Sequence, residues 1–435
     1  MERFALSRMK EWKENENRKP LIIRGARQVG KTWIMKTFGQ QYFEKTAYVN
    51  FDNNARMKQV FEGDFDIERL VLSISAETGV SIEAENTLII FDEVQEVPKA
   101  LTSLKYFYEN APQYAIVAAG SLLGVALHQG TSFPVGKVDF LDLYPLNFRE
   151  FLCAMGEKQF VSMLDSCDTQ MVTVFKTKYI ERLREYYFVG GMPEVVKDFS
   201  EKKDYNRVRA IQKNLINYYQ QDFSKHAEIK LVPRLNLVWN SIPMQLAKEN
   251  KKYIYGQVRE GSRAKDFELA IQWLLDCGLI HKVQRIQKPD LPLKAYIDFD
   301  AFKLFLVDIG LLIAMTDLDA KVIIEGNKIF SEFKGALTEQ YILQQLISDV
   351  GVIPYYYSTQ NSKGEIDFLV QGKTSVIPIE VKAEENLKAK SLKAFCEKYQ
   401  PSYAVRTSMS DYREQDWMTN IPLYAVKWIK NYVNQ

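Results

Sequence analysis

Cysteine and histidine are scarce in this chain, which has only four cysteines and three histidines among its 435 residues. The cysteines are far apart and form no CxxC pair, which argues against a disulfide framework and predicts reduced, mostly buried thiols. They are Cys153, Cys167, Cys277 and Cys396. Because the histidines are scattered and no cysteine cluster accompanies them, a zinc site is not expected.

Long apolar runs are also missing from the sequence. No stretch approaches the roughly 20 apolar residues that are needed to span a bilayer. The N-terminal segment has no apolar core of the kind that a signal peptide requires. We therefore expect a cytoplasmic protein that has no membrane partner.

Neither sign of charge dominates, because 57 lysines and arginines nearly balance 55 aspartates and glutamates and leave a net charge of +2. The overall charge therefore indicates no class of partner, and any nucleic-acid surface has to be a local patch. An apolar fraction of 46% is typical of a globular protein. At 435 residues the chain exceeds what one hydrophobic core holds, so two or three domains are expected.

Residues 1–155 alternate short apolar runs with helical stretches. The runs lie at 21–23, 47–51, 88–91 and 115–118. Near-continuous apolar strands separated by helices are typical of a parallel sheet that is covered on both faces. The sequence thus predicts an α/β fold with an N-terminal nucleotide-binding domain over 1–155.

Residues 25–32 read GARQVGKT and fit the phosphate-loop pattern GxxxxGK[ST], with an apolar strand before the loop and a helical stretch after it. In such a loop the backbone N–H groups face the phosphates of ATP at the positive end of the helix. The predicted contacts come from Gly25, Ala26, Arg27, Gln28, Val29, Gly30, Lys31 and Thr32. Lys31 is expected to neutralise the β- and γ-phosphates, and the Thr32 hydroxyl is expected to ligate Mg²⁺.

A second apolar strand, at 88–91, ends in two carboxylates, which is the Walker B pattern. We expect Asp92 to hold Mg²⁺ through water and Glu93 to act as the general base that polarises the attacking water. The strand at 115–118 leads to Ser121, which is a candidate sensor of the γ-phosphate, although a simple turn at the strand end explains it nearly as well. Candidates for an arginine finger or an equivalent cation are Arg27, Lys137 and Arg149.

Residues 156–325 are mainly helical and are predicted to form a middle domain. The stretch 264–286 is interpreted as a helix, a stop at Gly278 and a strand, which is how a winged helix ends, but a generic helix-to-strand connection has the same pattern. Cations flank the helix and could contact DNA phosphates, or they could belong to a solvated surface. They are Arg259, Arg263, Lys265, Lys282, Arg285 and Lys288.

Residues 326–435 are predicted to form a third, α/β domain. Asp367 lies on one predicted strand, and Glu380 and Lys382 lie two residues apart on another, so the last two share a face. This is the PD-(D/E)xK arrangement of nucleases, in which Asp367, Glu380 and Glu339 could bind Mg²⁺ while Lys382 activates water. The alternative is a solvated strand that carries an ordinary Glu–Lys pair.

Taken together, these motifs resemble a prokaryotic family of AAA-type, archaeal-ATPase-like P-loop proteins whose C-terminal part is restriction-endonuclease-like. The matching stretches are 24–32, 91–95, 143–152, 190–194, 364–368 and 379–382. The resemblance implies an ATPase domain, a helical or winged middle and a nuclease-like end. Lys137 follows Gly136 where the family leads us to expect arginine, which weakens a sensor role for that residue.

Two functions are compatible with these observations. The first is a Mg²⁺-dependent ATPase whose nucleotide cycle controls a C-terminal domain that binds or cuts nucleic acid, with DNA preferred over RNA. The second is a signalling or scaffold ATPase whose last domain is catalytically inactive and only binds a protein. A small-molecule kinase fits less well, because no substrate lid is evident. The expected cofactors are ATP and Mg²⁺, and further copies of the chain are expected partners.

Overall fold

The computed structural model describes residues 1–120, 134–248, 251–324, 331–359, 364–384 and 389–435. The chain divides into two compact units. The N-terminal unit comprises Glu2–Tyr144 and Asp276–Leu279, and the C-terminal unit comprises Pro145–Leu275 and Ile280–Gln435 together with Met1. None of the described helices is long and apolar enough to cross a membrane.

The N-terminal unit is an α/β structure. Its described helices are α1 (Ala5–Glu14), α2 (Lys31–Tyr42), α3 (Ala55–Glu62), α4 (Ile67–Thr78) and α5 (Pro98–Asn110), with a short 3₁₀ helix at Val94–Glu96. Its described strands are β1 (Leu21–Arg24), β2 (Lys45–Asn50), β3 (Thr87–Asp92), β4 (Ala115–Ala119) and β5 (Asp139–Asp142).

The five strands form one sheet in the order β2-β3-β4-β1-β5, and every pairing is parallel. Every residue of β3 and of β4 is buried, as the apolar runs predict for strands that are covered on both faces. Phe51, Phe61 and Phe91 pack edge to face with ring centroids 5.4 to 5.6 Å apart. This contact holds the end of β2 against the end of β3, and the predicted parallel α/β fold is confirmed.

The C-terminal unit begins with a run of helices. The described helices are α6 (Phe148–Ala154), α7 (Lys158–Asp165), α8 (Thr169–Val174), α9 (Lys176–Val189), α10 (Pro193–Lys202), α11 (Tyr205–His226), α12 (Val232–Leu246), α13 (Tyr255–Val258), α14 (Ala264–Asp276), α15 (Ile309–Met315), α16 (Ala320–Ile324), α17 (Ser331–Gln345), α18 (Lys390–Tyr399) and α19 (Ile429–Val433). Shorter turns are the 3₁₀ helices Leu293–Tyr296 and Leu423–Trp428 and the π-helix Leu346–Val350.

The C-terminal unit also contains an eight-stranded sheet in the order β12-β13-β11-β10-β9-β8-β6-β7. The strands are β6 (Ile280–Ile286), β7 (Ile297–Leu306), β8 (Tyr355–Ser358), β9 (Glu365–Gln371), β10 (Val376–Val381), β11 (Val405–Ser408), β12 (Arg413–Gln415) and β13 (Met418–Pro422). Strands from both sides of the predicted boundary at 325/326 thus share one sheet, and the three-domain division stays a prediction.

The stretch 264–286 folds as the sequence predicts at the local level. Helix α14 ends at Asp276, Gly278 has a φ of +69°, and β6 follows. A positive φ is available to glycine at little cost, which explains the stop. Strand β6 pairs antiparallel with β7 and parallel with β8, so the strand after the helix belongs to the large sheet. A winged-helix role for this segment stays a prediction.

Candidate functional site

The loop between β1 and α2 depends on two glycines with positive φ. Gly25 has a φ of +148°, and a Cβ atom on it would lie 2.1 Å from the carbonyl oxygen of Leu143. Gly30, which directly precedes α2, has a φ of +94°. Residues with a side chain rarely adopt these angles, so both glycines are needed for the loop to curl around the start of the helix.

Lys31 is the first residue of α2, and its side chain folds back over the loop. Its ammonium group donates to the carbonyl oxygens of Gly25 at 2.9 Å and of Ala26 at 2.8 Å. Burial lowers the pKa of Lys31 to about 8, an effect that the nearby carboxylates of Glu93 and Asp92 oppose. A cation held in this way, beside the N-terminus of a helix, is suited to binding phosphate.

The two sequence motifs meet at Asp92, the buried last residue of β3. The Thr32 hydroxyl donates to Oδ2 of Asp92 at 2.7 Å, and the backbone N–H of Glu93 donates to Oδ1 at 3.1 Å. A hydroxyl oxygen and a carboxylate are the hard oxygen ligands that Mg²⁺ prefers. The donor set therefore fits the predicted Mg²⁺ site of Thr32 and Asp92.

Glu93 follows Asp92 in a left-handed backbone conformation, with a φ of 50° and a ψ of 44°. Such strain in a residue other than glycine is concentrated at functional sites. The side-chain amide of Gln95 donates to Oε2 of Glu93 at 2.6 Å and so orients the carboxylate. The structure thus places Gln95 against Glu93, and the role of Glu93 as the base stays a prediction.

Tyr48 is a site residue that the sequence interpretation missed. It lies on β2, and its hydroxyl donates at 2.9 Å to the same Oδ2 of Asp92 that accepts from Thr32. Burial and the Asp92 carboxylate raise the pKa of Tyr48, so the hydroxyl keeps its proton and remains a donor. Its position in the sequence could have indicated this role, because Tyr48 lies near the carboxyl end of an apolar strand that neighbours the Walker B strand.

Two other residues were predicted for the ATP site, Arg149 and Ser121. Arg149 is buried in the C-terminal unit and pairs with Asp165 at 2.6 Å and with Asp349 at 2.7 Å. The guanidinium group is thus paired with two carboxylates of the same unit, and an arginine-finger role for Arg149 stays a prediction. Ser121 lies outside the described residues.

The remaining cation candidates lie in the N-terminal unit. Lys137 forms an ion pair with Glu109 at 3.0 Å on the surface, so its charge is already engaged there. Arg27 is half-buried in the phosphate loop, and its charge acts on Lys31 by lowering the pKa of that residue. Of the three candidates for a cation near the phosphates, Arg27 is therefore the one that the loop itself contains.

The C-terminal acids lie on paired strands, as predicted. Strands β9 and β10 are antiparallel neighbours, with Phe368 opposite Ile379. The Lys382 ammonium group is 2.6 Å from Oε1 of Glu380. Asp367 accepts from the backbone N–H of Val381 at 2.7 Å. The structure therefore brings Glu380 and Lys382 into contact and places Asp367 on the adjacent strand.

Glu339 is buried on α17 and is held by lysines. It pairs with Lys251 and lies 3.5 Å from Lys303, whose ammonium group also pairs with Glu365. Burial raises the pKa of Asp367 to about 8, and the negative charge of Glu339 adds to this effect.

Glu339 and Asp367 thus interact electrostatically, and lysine side chains provide the counter-charge. Within the described ranges, no three or more His, Cys, Asp or Glu side chains are grouped so that they could hold a metal ion. The three acids Glu339, Asp367 and Glu380 therefore do not meet as one such group there. Binding of Mg²⁺ by them stays a prediction.

Half of the cations that were proposed for DNA contact are engaged within the C-terminal unit. Arg285 donates to Asp298 at 2.9 Å, and Lys288 pairs with Asp290 at 2.7 Å. The Lys282 ammonium group lies 4.3 Å from the centroid of the Phe302 ring. The other three cations, at 259, 263 and 265, are exposed. DNA contact by any of these six cations stays a prediction.

Comparison with known families matches three parts of the chain. Residues 17–152 match a family described as an AAA domain. Residues 180–322 and 334–426 match two domains of unknown function, DUF8612 and DUF4143. The comparison with curated proteins gives no match.

Solved structures also match the chain at low sequence identity. The Walker-type ATPase of Pyrococcus abyssi is 15% identical, with 72% of this chain and 95% of that chain covered and a TM-score of 0.44. The Orc1 protein of Aeropyrum pernix, solved in complex with DNA, is 14% identical, with 72% and 91% covered and a TM-score of 0.28. Cdc6p of Pyrobaculum aerophilum is 11% identical, with 74% and 93% covered and a TM-score of 0.24.

The family match and the loop geometry agree on the N-terminal part of the chain. The matched range contains the glycine loop, Lys31, Thr32 and the Asp92–Glu93 pair. Residues 17–152 therefore match an AAA domain and contain the loop geometry of a P-loop ATPase.

Proposed function

We propose that this protein hydrolyses ATP with Mg²⁺ at the carboxyl end of the N-terminal sheet. The observation that carries the proposal is the hydrogen bond between Thr32 and Asp92, which joins the phosphate loop to the Walker B strand. The backbone N–H groups of the loop and the Lys31 ammonium group bind the β- and γ-phosphates. Thr32 and Asp92 would hold Mg²⁺, which would supply positive charge to neutralise those phosphates.

Glu93 provides the base in this proposal. Its carboxylate accepts a proton as a water oxygen bonds to the γ-phosphorus and the bond to the leaving β-phosphate oxygen breaks, which yields ADP and phosphate. The side-chain amide of Gln95 donates to Oε2 of Glu93 and so orients the carboxylate that would accept the water proton. Glu93 has its left-handed backbone conformation directly after Asp92, the last residue of β3.

The proposal is tested by measuring nucleotide binding and phosphate release for the purified full-length chain. Lys31→Ala removes the buried ammonium group and is expected to abolish binding of a fluorescent ATP analogue. Lys58→Ala is the control, because Lys58 is an exposed cation on α3 of the same unit. Absence of ATP turnover in the wild-type protein, in the presence of Mg²⁺ and with or without DNA, would contradict the proposal.

We further propose that the ATP cycle controls a nuclease-like C-terminal domain that binds or cuts nucleic acid, DNA in preference to RNA. The supporting observation is that Asp367 and Glu380 lie on paired strands and that Lys382 contacts Glu380. This is the order of polar residues in the PD-(D/E)xK arrangement. Around them, Lys303 and Lys251 already neutralise Glu339, which is equally compatible with a binding domain that does not cut.

Nicking assays on plasmid DNA and on RNA distinguish the two forms of this second proposal. Cleavage that needs Mg²⁺ and disappears in Asp367→Ala and in Lys382→Ala would support a nuclease. Salt-sensitive DNA binding without cleavage would support a binding domain. If neither cleavage nor salt-sensitive binding is found, the alternative is favoured, in which the ATPase is a signalling or scaffold switch whose last domain binds a protein.

A further inference from the structure

The Asp92 carboxylate is held by three hydrogen-bond donors from three different segments. Oδ2 accepts from the hydroxyl of Thr32 at 2.7 Å and from the hydroxyl of Tyr48 at 2.9 Å. Oδ1 accepts from the backbone N–H of Glu93 at 3.1 Å. Thr32 and Glu93 belong to the two sequence motifs, whereas Tyr48 comes from a neighbouring strand that carries neither motif.

The ring of Tyr48 is itself held in place. The Lys36 ammonium group, on α2, lies 3.7 Å from the centroid of the ring, which is within the range of a cation–π contact. Strand β2 pairs with β3 in register over six residues, from Lys45 opposite Thr87 to Asn50 opposite Asp92. The backbone on one side and the cation on the other thus limit rotation of the phenol away from Asp92.

A carboxylate that serves a metal ion has to present an oxygen in a fixed direction, and groups that bond to the ligand set that direction. Thr32 cannot do this alone, because its hydroxyl oxygen is itself a predicted Mg²⁺ ligand. We propose that Tyr48 is a positioning residue that orients the Asp92 carboxylate for Mg²⁺ in the nucleotide complex. This inference rests on the proposed ATPase function, and it assigns to β2 a part in metal binding.

Tyr48→Phe tests the inference, because it removes one hydroxyl and keeps the ring under Lys36. The full-length protein is saturated with a non-hydrolysable ATP analogue, and Mn²⁺ binding is measured by electron paramagnetic resonance. The dissociation constant for Mn²⁺ is expected to rise about tenfold in the variant, the usual effect of losing one partner of a metal ligand. Tyr42→Phe, at the far end of α2, is the matched control and is expected to leave that constant unchanged.

Binding of the ATP analogue in EDTA shows whether the phosphate loop of each variant is intact. We expect equal affinities there for wild type, Tyr48→Phe and Tyr42→Phe, because the predicted role of Tyr48 is exerted through the metal. An unchanged Mn²⁺ dissociation constant in Tyr48→Phe overturns the inference, and so does an equal loss in Tyr42→Phe. A wild-type protein that binds the analogue and Mn²⁺ but releases no phosphate contradicts the ATPase proposal and still leaves this comparison decisive.

Turnover provides a second readout for Tyr48→Phe. The Mg²⁺ concentration for half-maximal ATPase rate is expected to rise by a similar factor, while the rate at saturating Mg²⁺ recovers most of the wild-type value. A structural defect would instead lower the rate at every Mg²⁺ concentration. That second pattern would overturn a positioning role.

Discussion

The hydroxyl of Thr32 donates a 2.7 Å hydrogen bond to the Asp92 carboxylate, although 60 residues separate the two in the chain. Thr32 lies in the first turn of α2, which follows β1, and Asp92 is the last residue of β3. Both strands pair with β4 in parallel, so their carboxyl ends lie at the same edge of the sheet. Ligands of open α/β sheets bind at that edge.

Nucleotide affinity is expected to depend on pH through Lys31. Burial lowers the pKa of this lysine to about 8, so it is mostly charged below that pH and mostly neutral above it. Because only the charged form neutralises phosphate, affinity for an ATP analogue is expected to be constant near pH 7 and to fall above pH 8. Above pH 7 the phosphates themselves are already almost fully ionised, since their last pKa is about 6.

This pH dependence is measured by fluorescence titration in EDTA from pH 6.5 to 9.5, chosen to bracket that pKa of about 8. The decline approaches tenfold per pH unit above the pKa of the free protein, as proton linkage requires. An affinity that stays flat up to pH 9 would mean that the pKa of Lys31 is not lowered.

Glu93→Gln is expected to lower the rate of ATP hydrolysis by about 100- to 10,000-fold, the usual loss when a general base is removed. Nucleotide binding is expected to remain, because the phosphate loop and Lys31 are unchanged. Glu96→Gln provides the control, as Glu96 is exposed and lies three residues further along. Turnover by Glu93→Gln at the wild-type rate would disprove the assignment of the base.

Gln95→Leu is expected to lower kcat by about tenfold and to leave KM unchanged, because it removes one hydrogen bond to the charged Glu93 carboxylate. The measurement is steady-state phosphate release at several ATP concentrations. Gln40→Leu changes an exposed glutamine on α2 and is expected to have no effect. If both variants lose activity equally, Gln95 has no special relation to the base.

Lys303→Met is expected to destabilise the C-terminal unit by about 3–5 kcal/mol, the usual cost of removing one partner from a buried ion pair. The Lys303 side chain is fully buried and pairs with Glu339 and Glu365. Lys334→Met is the control, because its ion pair with Glu384 is on the surface and is worth at most about 1 kcal/mol. Urea unfolding followed by tryptophan fluorescence compares the two, and equal midpoints would contradict this account.

Much of the N-terminal domain could be predicted from local sequence. Its four predicted apolar runs coincide with strands β1 to β4. A strand that is covered on both faces consists of consecutive apolar residues, and such a run can be recognised in the sequence. The phosphate loop could also be predicted from the sequence. It needs positive φ at Gly25 and Gly30 and a lysine at the start of the helix, and few other residues fit these positions. The Walker B acids followed from their position at a strand end.

Contacts between segments that are distant in the chain could not be predicted from the sequence in this way. Tyrosine is common in strands, so its presence at position 48 does not indicate a functional role. Only the pairing of β2 with β3 places the Tyr48 hydroxyl beside Asp92. Arg149 is the residue type that an arginine finger requires. In the structure, two aspartates from distant parts of the C-terminal unit pair with it. Lys303 belongs to no recognised sequence motif, so its buried ion pairs could not be predicted.

The sequence by itself determined the parallel α/β fold of the N-terminal domain, the phosphate loop and the acids at the end of β3. These features are local, because they depend on backbone angles, apolar period and the order of residues along a strand. The tertiary structure alone decided which side chains share the Asp92 carboxylate and which cations are already neutralised. Hydrogen bonds and ion pairs form between atoms a few Å apart, and for segments distant in sequence that proximity is set by folding.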